Sequence, residues 1–332
     1  MNIKMKTTIP FVTATLSLIS SILLSDSGIT VSAFSFSQTH NRKIHTKIKP
    51  VLSSASKSTL FSSSSSTENS NIIDNLKDKL LESIQILREI QERDGDISID
   101  FGVKGGELNA TTRAPQKLDY YRVSKEAGQT CDGILETCTQ LSKLTPNPNP
   151  TDFFNDLQFG STKSLLHGEW KLLFTTAADA TFSKNSTRGD AKVSNIVDAS
   201  TGKIQNCIQF LSKDNTPPIV KSFNAFLKAT TSAPNRINLV FRYVRIDLTK
   251  LFFLPISWSL FIPVPGPFIT KFIIILNKLL FWKKQKSVTE VPQAYFDILY
   301  LDHQLRIHKT GEDNLFIQVK AENWDEAKRL LK

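Results

Sequence analysis

Along residues 67–93 apolar side chains return at three- and four-residue steps: Ile73, Leu76, Leu80, Ile84 and Leu87. That is the period of a buried helix face; Ser70 or Asn71 stands where a cap is needed, and Asp94-Gly95 stops the run. A second helix is predicted from about Ser124 to Lys143, with Ile134, Leu135, Cys138 and Leu141 on one face. Gly128 and Gly133 weaken it. Residues 95–120 between them read as a loop. After Pro146-Asn-Pro148-Asn-Pro150, which suits neither a helix nor a sheet interior, the period changes to two. Trp170, Leu172 and Phe174 share one face; Ile204, Ile208 and Phe210 share another; Ile237, Leu239, Phe241 and Tyr243 share a third. Residues 293–301 and 304–309 read as a hairpin, and Thr310-Gly311-Glu-Asp-Asn314 turns into a last strand, Leu315–Lys320. Short alternating strands separated by turns, without strand–helix–strand repetition, predict an antiparallel barrel or sandwich. The expected class is mainly β (α+β overall), with a helical segment in front.

Residues 250–286 interrupt the alternation. Four prolines break the apolar stretch from Leu251 to Pro267, and Phe268–Trp282 then reads as a helix. At roughly 1.5 Å per residue it would be about 22 Å long, short of the ~30 Å hydrocarbon core of a bilayer. An interfacial segment is the sharper expectation, with Phe268, Phe272, Ile275, Leu279 and Trp282 in lipid and Lys283 and Lys284 at the headgroups. The other reading packs it across a barrel mouth or on the N-terminal helices.

The front of the chain reads as targeting sequence. Lys4 and Lys6 precede a short apolar stretch, Phe11–Leu24, and Val31-Ser32-Ala33 supplies small residues for cleavage, so 1–33 is expected to be a signal peptide. Residues 34–66 are rich in Ser, Thr and Lys without an acidic residue, as in a disordered transit peptide. The two parts, with phenylalanine directly after Ala33, resemble the bipartite presequence of algae with secondary plastids, such as diatoms. The expected parts that follow are 67–150, helical segment and linker; 151–321, barrel; and 322–332, tail.

Removing the front changes the charge balance. The whole chain carries 41 basic and 31 acidic residues, of which the first 66 hold 7 and 1, leaving 34 against 30. That is poor support for a nucleic-acid partner, which would need a clustered basic face. Three cysteines make a disulfide framework unlikely to be the organising device. Cys131 and Cys138 lie seven apart on one helix face, about 10 Å along its axis, too far to bridge. All three are expected to act as small apolar residues, Cys207 within a strand.

Two distant segments carry a family resemblance: Gly168-Glu-Trp170-Lys-Leu-Leu-Phe174-Thr-Thr176, and Tyr295-Phe-Asp-Ile-Leu-Tyr300-Leu-Asp302-His-Gln-Leu-Arg306-Ile. They resemble the two ends of the plastid lipid-associated protein (fibrillin) domain, a lipocalin-like barrel, and the Asn-Pro-rich stretch Leu144–Asp152 resembles that family's boundary between helices and barrel. The resemblance implies a plastid protein at thylakoid or plastoglobule surfaces that handles apolar metabolites without catalysis. It also implies that Gly168, Trp170 and Arg306 close one barrel end through a cation–π contact. Asp302 and Arg306, four apart across a turn, are candidates for an ion pair; His303 and Gln304 stand where the family is usually acidic.

No motif for phosphate binding, metal ligation or a nucleophile elbow is found, and no cofactor is expected. His303 and His308 flank a turn and are expected to be solvated; His167 is expected to be exposed. The lumen is expected to be lined by Trp170, Leu172, Phe174, Ile204, Ile208, Phe210, Leu239, Phe241, Phe296 and Ile298, suiting an isoprenoid, quinone, carotenoid or acyl lipid. One rival is a cyclase or isomerase using Asp247 or Asp297, both expected to point outward. The other is a scaffold holding a plastid biosynthetic enzyme through the barrel exterior or helix 71–93.

Overall fold

The computed structural model describes residues 64–97, 116–182, 190–212, 217–249, 257–263 and 294–331. The presequence up to residue 63, most of the loop after the first helix, and the segment from Phe268 to Lys284 lie outside the described residues, while residues 64–66, expected to be disordered, are helical. The first helix, α1, runs Ser64–Asp94 and so begins before Ser70 and Asn71, which lie inside it and do not cap it. The second, α2, runs Lys125–Lys143, and Ser124 caps it by accepting a hydrogen bond from the Ala127 amide. Short helices follow at Gly160–Lys163 (α3) and Trp324–Leu330 (α4).

Nine strands form one antiparallel sheet: β1 Gly168–Thr175, β2 Ala191–Asp198, β3 Lys203–Phe210, β4 Val220–Ala233, β5 Arg236–Leu248, β6 Trp258–Pro263, β7 Ala294–Leu301, β8 Leu305–Thr310 and β9 Leu315–Lys320. The order β4-β3-β2-β1-β9-β8-β7-β5-β6 is closed by an additional β4–β5 pairing. Eight strands thus complete a ring, and β6 branches from it. The branch point is β5, which pairs β7 through Arg236–Leu239 and β6 through Tyr243–Leu248 while lying along β4 throughout.

Two apolar cores lie on either side of the wall. One is the lumen, where Trp170, Val197, Ile204, Ala225, Leu227, Ile237, Phe241, Phe296 and Leu301 meet. The other lies outside it. Leu80, Ile84, Leu87 and Ile90 of α1, with Ile134, Cys138 and Leu141 of α2, pack onto Leu173, Phe174, Tyr300, Leu305, Ile307, Ile317 and Val319. Amphipathic helices thereby cover the β7-β8-β9-β1 side of the barrel. Two bulges let single strands serve both cores, one between Leu172 and Phe174 on β1 and one between Ile298 and Tyr300 on β7.

The base of the ring is plugged by the chain entering it. Thr151 donates from its hydroxyl to the Pro234 carbonyl at 2.8 Å, and the Asn155 amide to the Ala199 carbonyl at 2.7 Å. Phe154 and Leu166 of this segment join the lumen core. Gly202, in the β2–β3 turn, has φ +63°, and a β-carbon there would lie 1.8 Å from Asn155 Oδ1 and 2.7 Å from the Ala229 carbonyl oxygen. Gly202→Ala is therefore expected to cost about 1–3 kcal/mol through strain and a displaced plug, read as a lower denaturant midpoint.

Candidate functional site

The base of the lumen is built around Trp170, fully buried on β1, whose indole Nε1 donates to the Leu166 carbonyl at 3.0 Å. Gly168, at φ +116°, turns the chain into that strand. Two cations flank the indole: the Arg306 guanidinium at 5.0 Å and the Lys320 ammonium at 4.8 Å from the ring. The expected cation–π contact is present, with a second cation that sequence reasoning missed.

Arg306 comes from β8 and reaches across the interior. Its Nε donates to Gln318 Oε1 of β9 at 2.8 Å, and its Nη2 to Asn195 Oδ1 of β2 at 2.7 Å and again to Gln318. Gln318 donates to Asn195 at 2.7 Å, and Asn195 in turn to Asn206 of β3. Arg306, Gln318, Asn195 and Asn206 thus form a polar floor from one wall to the other. Arg306 is 1 % exposed, and no carboxylate among the described residues forms an ion pair with it. Burial pushes its pKa down to about 9, so it stays protonated at neutral pH. Taking a cation out of water costs several kcal/mol, roughly, unless a counter-charge or full hydrogen bonding offsets it. Neutral amide oxygens supply part of that here.

Above the floor β8 continues with His308, buried between the rings of Phe296 (4.8 Å) and Phe316 (5.1 Å). Its Nδ1 has no hydrogen-bond partner, nor has Thr310 Oγ1, two residues on. Burial, then the nearby Arg306 charge, lowers the imidazole pKa well below its ordinary value, so His308 is neutral. The expectation of a solvated His308 is overturned: strand alternation carries 306 and 308 inward together, while His303 stays in the exposed turn. His167 is half-buried rather than exposed, its Nδ1 accepting from the Ala199 amide at 3.3 Å.

Most of the predicted lining residues meet in the lumen. Trp170, Ile204, Phe241, Phe296 and Ile298 are buried in its core, with Leu239 packed against it. Leu172 packs with Phe316, Ile208 is buried, and Phe210 is half-buried beside Phe182. Phe174 is a correction. The β1 bulge consumes Leu173, so Phe174 turns outward, stacks on Tyr120 at 5.8 Å and joins the helix-facing core. Above the floor several inward apolar side chains are only half-buried: Phe210 of β3, Phe223 of β4, Ile246 of β5, and Leu260 and Ile262 of β6.

The Asp302–Arg306 ion pair does not form. Asp302 sits outside the wall, where its carboxylate accepts from Lys77 at 2.9 Å, the Tyr300 hydroxyl at 2.7 Å and the Gln304 and Leu305 amides. Burial alone would raise its pKa, but these hydrogen bonds outweigh it and hold the carboxyl below the ordinary 3.8. Since folding lowers this pKa, the stabilisation is complete above pH 3.8 and is lost as pH falls through the folded value. Asp302→Asn should therefore cost about 1–3 kcal/mol near neutral pH. Its difference from the wild type should shrink below about pH 4, as read from melting temperatures across an acid titration.

Asp247 and Asp297 both lie on the exterior. Asp247 accepts from Ser222 at 2.7 Å and Ser259 at 2.6 Å, and Asp297 takes two hydrogen bonds from Arg236, at 2.6 and 2.7 Å. Cys131 and Cys138 are buried between the helices, where burial raises their thiol pKa values to about 11 and 12; Cys207 is half-buried. Among the described residues no group of three His, Cys, Asp or Glu gathers as a metal site, and no helix is long and apolar enough to cross a membrane.

The PAP_fibrillin family model matches residues 121–319, from the start of the second helix's cap region through the last strand. No curated protein and no solved structure matches the chain.

Proposed function

Because this chain belongs to the PAP_fibrillin family of plastid lipid-associated proteins, we propose that it binds and carries an apolar plastid metabolite in its barrel without catalysis. The observation that carries the reading is the unequal burial of the inward residues. Trp170, Ile204, Leu227 and Phe241 around the base are packed out, whereas Phe210, Phe223 and Ile246 toward the far end of β3, β4 and β5 remain half-buried. An apolar wall with a few convergent polar groups is the ordinary make-up of a small-molecule site. The exterior positions of Asp247 and Asp297 favour a carrier over the cyclase or isomerase.

Membrane contact would be made through β6 and the apolar stretch that follows it in sequence. Trp258 and Phe261 on β6 are 47 % and 59 % exposed, and the sequence after β6 holds Phe268, Phe272, Ile275, Leu279, Trp282, Lys283 and Lys284. The reading places the protein at thylakoid or plastoglobule surfaces, exchanging cargo with lipid.

Native mass spectrometry after incubation with thylakoid lipid extract is the direct test. A stoichiometric adduct of a prenyl-quinone, carotenoid or acyl lipid is expected. A clean unliganded mass would mean that the barrel is filled by its own side chains, and the carrier reading would fall.

A further inference from the structure

The polar floor gives the cargo a head as well as a tail. We infer that the lumen takes a single-chain amphiphile with an anionic oxygen head, a long-chain carboxylate, whose head rests on Arg306 and whose hydrocarbon tail runs along the half-buried apolar residues above. This rests on the carrier reading and adds to it the chemical class of the ligand.

Charge is the first observation. Arg306 and Lys320 both stand against the Trp170 ring; Arg306 is buried and Lys320 donates to the Leu165 carbonyl at 3.0 Å. Neither forms an ion pair among the described residues, whereas cations on the outer wall are paired, as Arg236 is with Asp297 and Lys77 with Asp302. The interior thus lacks an anion where the exterior supplies one. A carboxylate from outside the chain would meet a planar guanidinium already oriented by Gln318 and Asn195.

Unmet polar capacity is the second. His308 Nδ1 and Thr310 Oγ1 are buried without partners on the same inward face of β8, next above Arg306. A buried polar atom left unsatisfied in a packed core is costly and uncommon, and a stripe of them beside a buried cation marks a polar wall awaiting a ligand. The third observation is the tail's surroundings. Leu172, Ile208, Phe210, Phe223 and Ile246 face inward above the floor, and the outer members of this group are only half-buried.

Palmitate and hexadecanol share one tail and differ in the charge of the head, so their affinities for the full chain, measured by calorimetry above the carboxylate pKa, isolate the head. The expected result is palmitate tighter by on the order of tenfold or more. Arg306→Met should abolish that difference, and Arg306→Lys should keep part of it. Equal affinity for the two ligands would overturn the inference while leaving a carrier of neutral lipids standing. No binding of either, together with a clean mass after the lipid-extract incubation, would overturn both. Should Arg306→Met fail to fold, the wild-type comparison alone decides, since it needs no variant.

Discussion

Replacing Trp170 by alanine should unfold the barrel from its base, at a cost of about 3–5 kcal/mol. Three terms add at this one side chain. It is the largest fully buried side chain among the described residues, so its removal leaves a void that the plug residues Phe154 and Leu166 fill only in part. The indole hydrogen bond to Leu166 is lost, freeing the turn that enters β1. Arg306 and Lys320 then both lose their contact with the ring, while the repulsion between their charges remains. Each cation–π contact contributes about 0.5–2 kcal/mol when desolvated. The melting temperature should fall by on the order of 10 °C. Trp170→Phe, which keeps a ring but not the donor, should recover more than half of the loss. A variant within a degree or two of the wild type would mean that the base is held by backbone pairing alone.

A barrel severed from its helices, beginning at Thr151, should not persist as a soluble monomer. The sequence invites such a cut, because the Asn-Pro-rich stretch looks like a linker between two parts. The structure makes them one body. Leu173, Phe174, Tyr300, Leu305, Ile307, Ile317 and Val319 form a single apolar outer face that α1 and α2 bury. At about 1.5–3 kcal/mol per buried large side chain, uncovering seven of them removes on the order of 10 kcal/mol, as much as a whole domain's net stability. The exposed patch would also drive association. Size-exclusion chromatography and dye binding of chains beginning at Ser64 and at Thr151 check this directly; a monomeric Thr151 chain with an unchanged melt would refute it. The scaffold reading is narrowed accordingly, since the apolar stripe of helix 71–93 is occupied by its own barrel.

The helices and six of the nine strands were legible because their periods are clean, and the family resemblance placed Trp170 and Arg306 together. Phase along a strand was not. Leu172, Leu173 and Phe174 are all apolar, so alternation alone cannot show that a bulge at Leu173 turns Phe174 outward. The polar floor was hidden for a different reason. Asn206 lies on the inward face between Ile204 and Ile208, but a single polar residue there names no partner, and β2, β4 and β6 carry too many Ser, Asn and Lys residues or prolines to stand out as strands. Asn195 faces Asn206 and Arg306 faces Gln318 across neighbouring strands, and only the insertion of β1 between β2 and β9 joins the two pairs into a network. The identity of Asp302's partner was out of reach too, because Lys77 lies 225 residues away on a helix.

The fork in β5 leaves the ring with walls of very different strength. Twelve residue pairs hold β5 to β4, but four hold it to β7, between Arg236 and Leu239 on one strand and Ala294 and Asp297 on the other. That short row is fastened by the two-pronged Arg236–Asp297 pair and by the stacking of Arg236 on Tyr295 at 4.1 Å. In terms of local opening free energies, the cylinder is a sheet with a seam. Along with the β1–β2 row, which is also four pairs long, the seam is expected to exchange its amides early, and the barrel can part there without giving up the hydrogen bonds of the other seven joints.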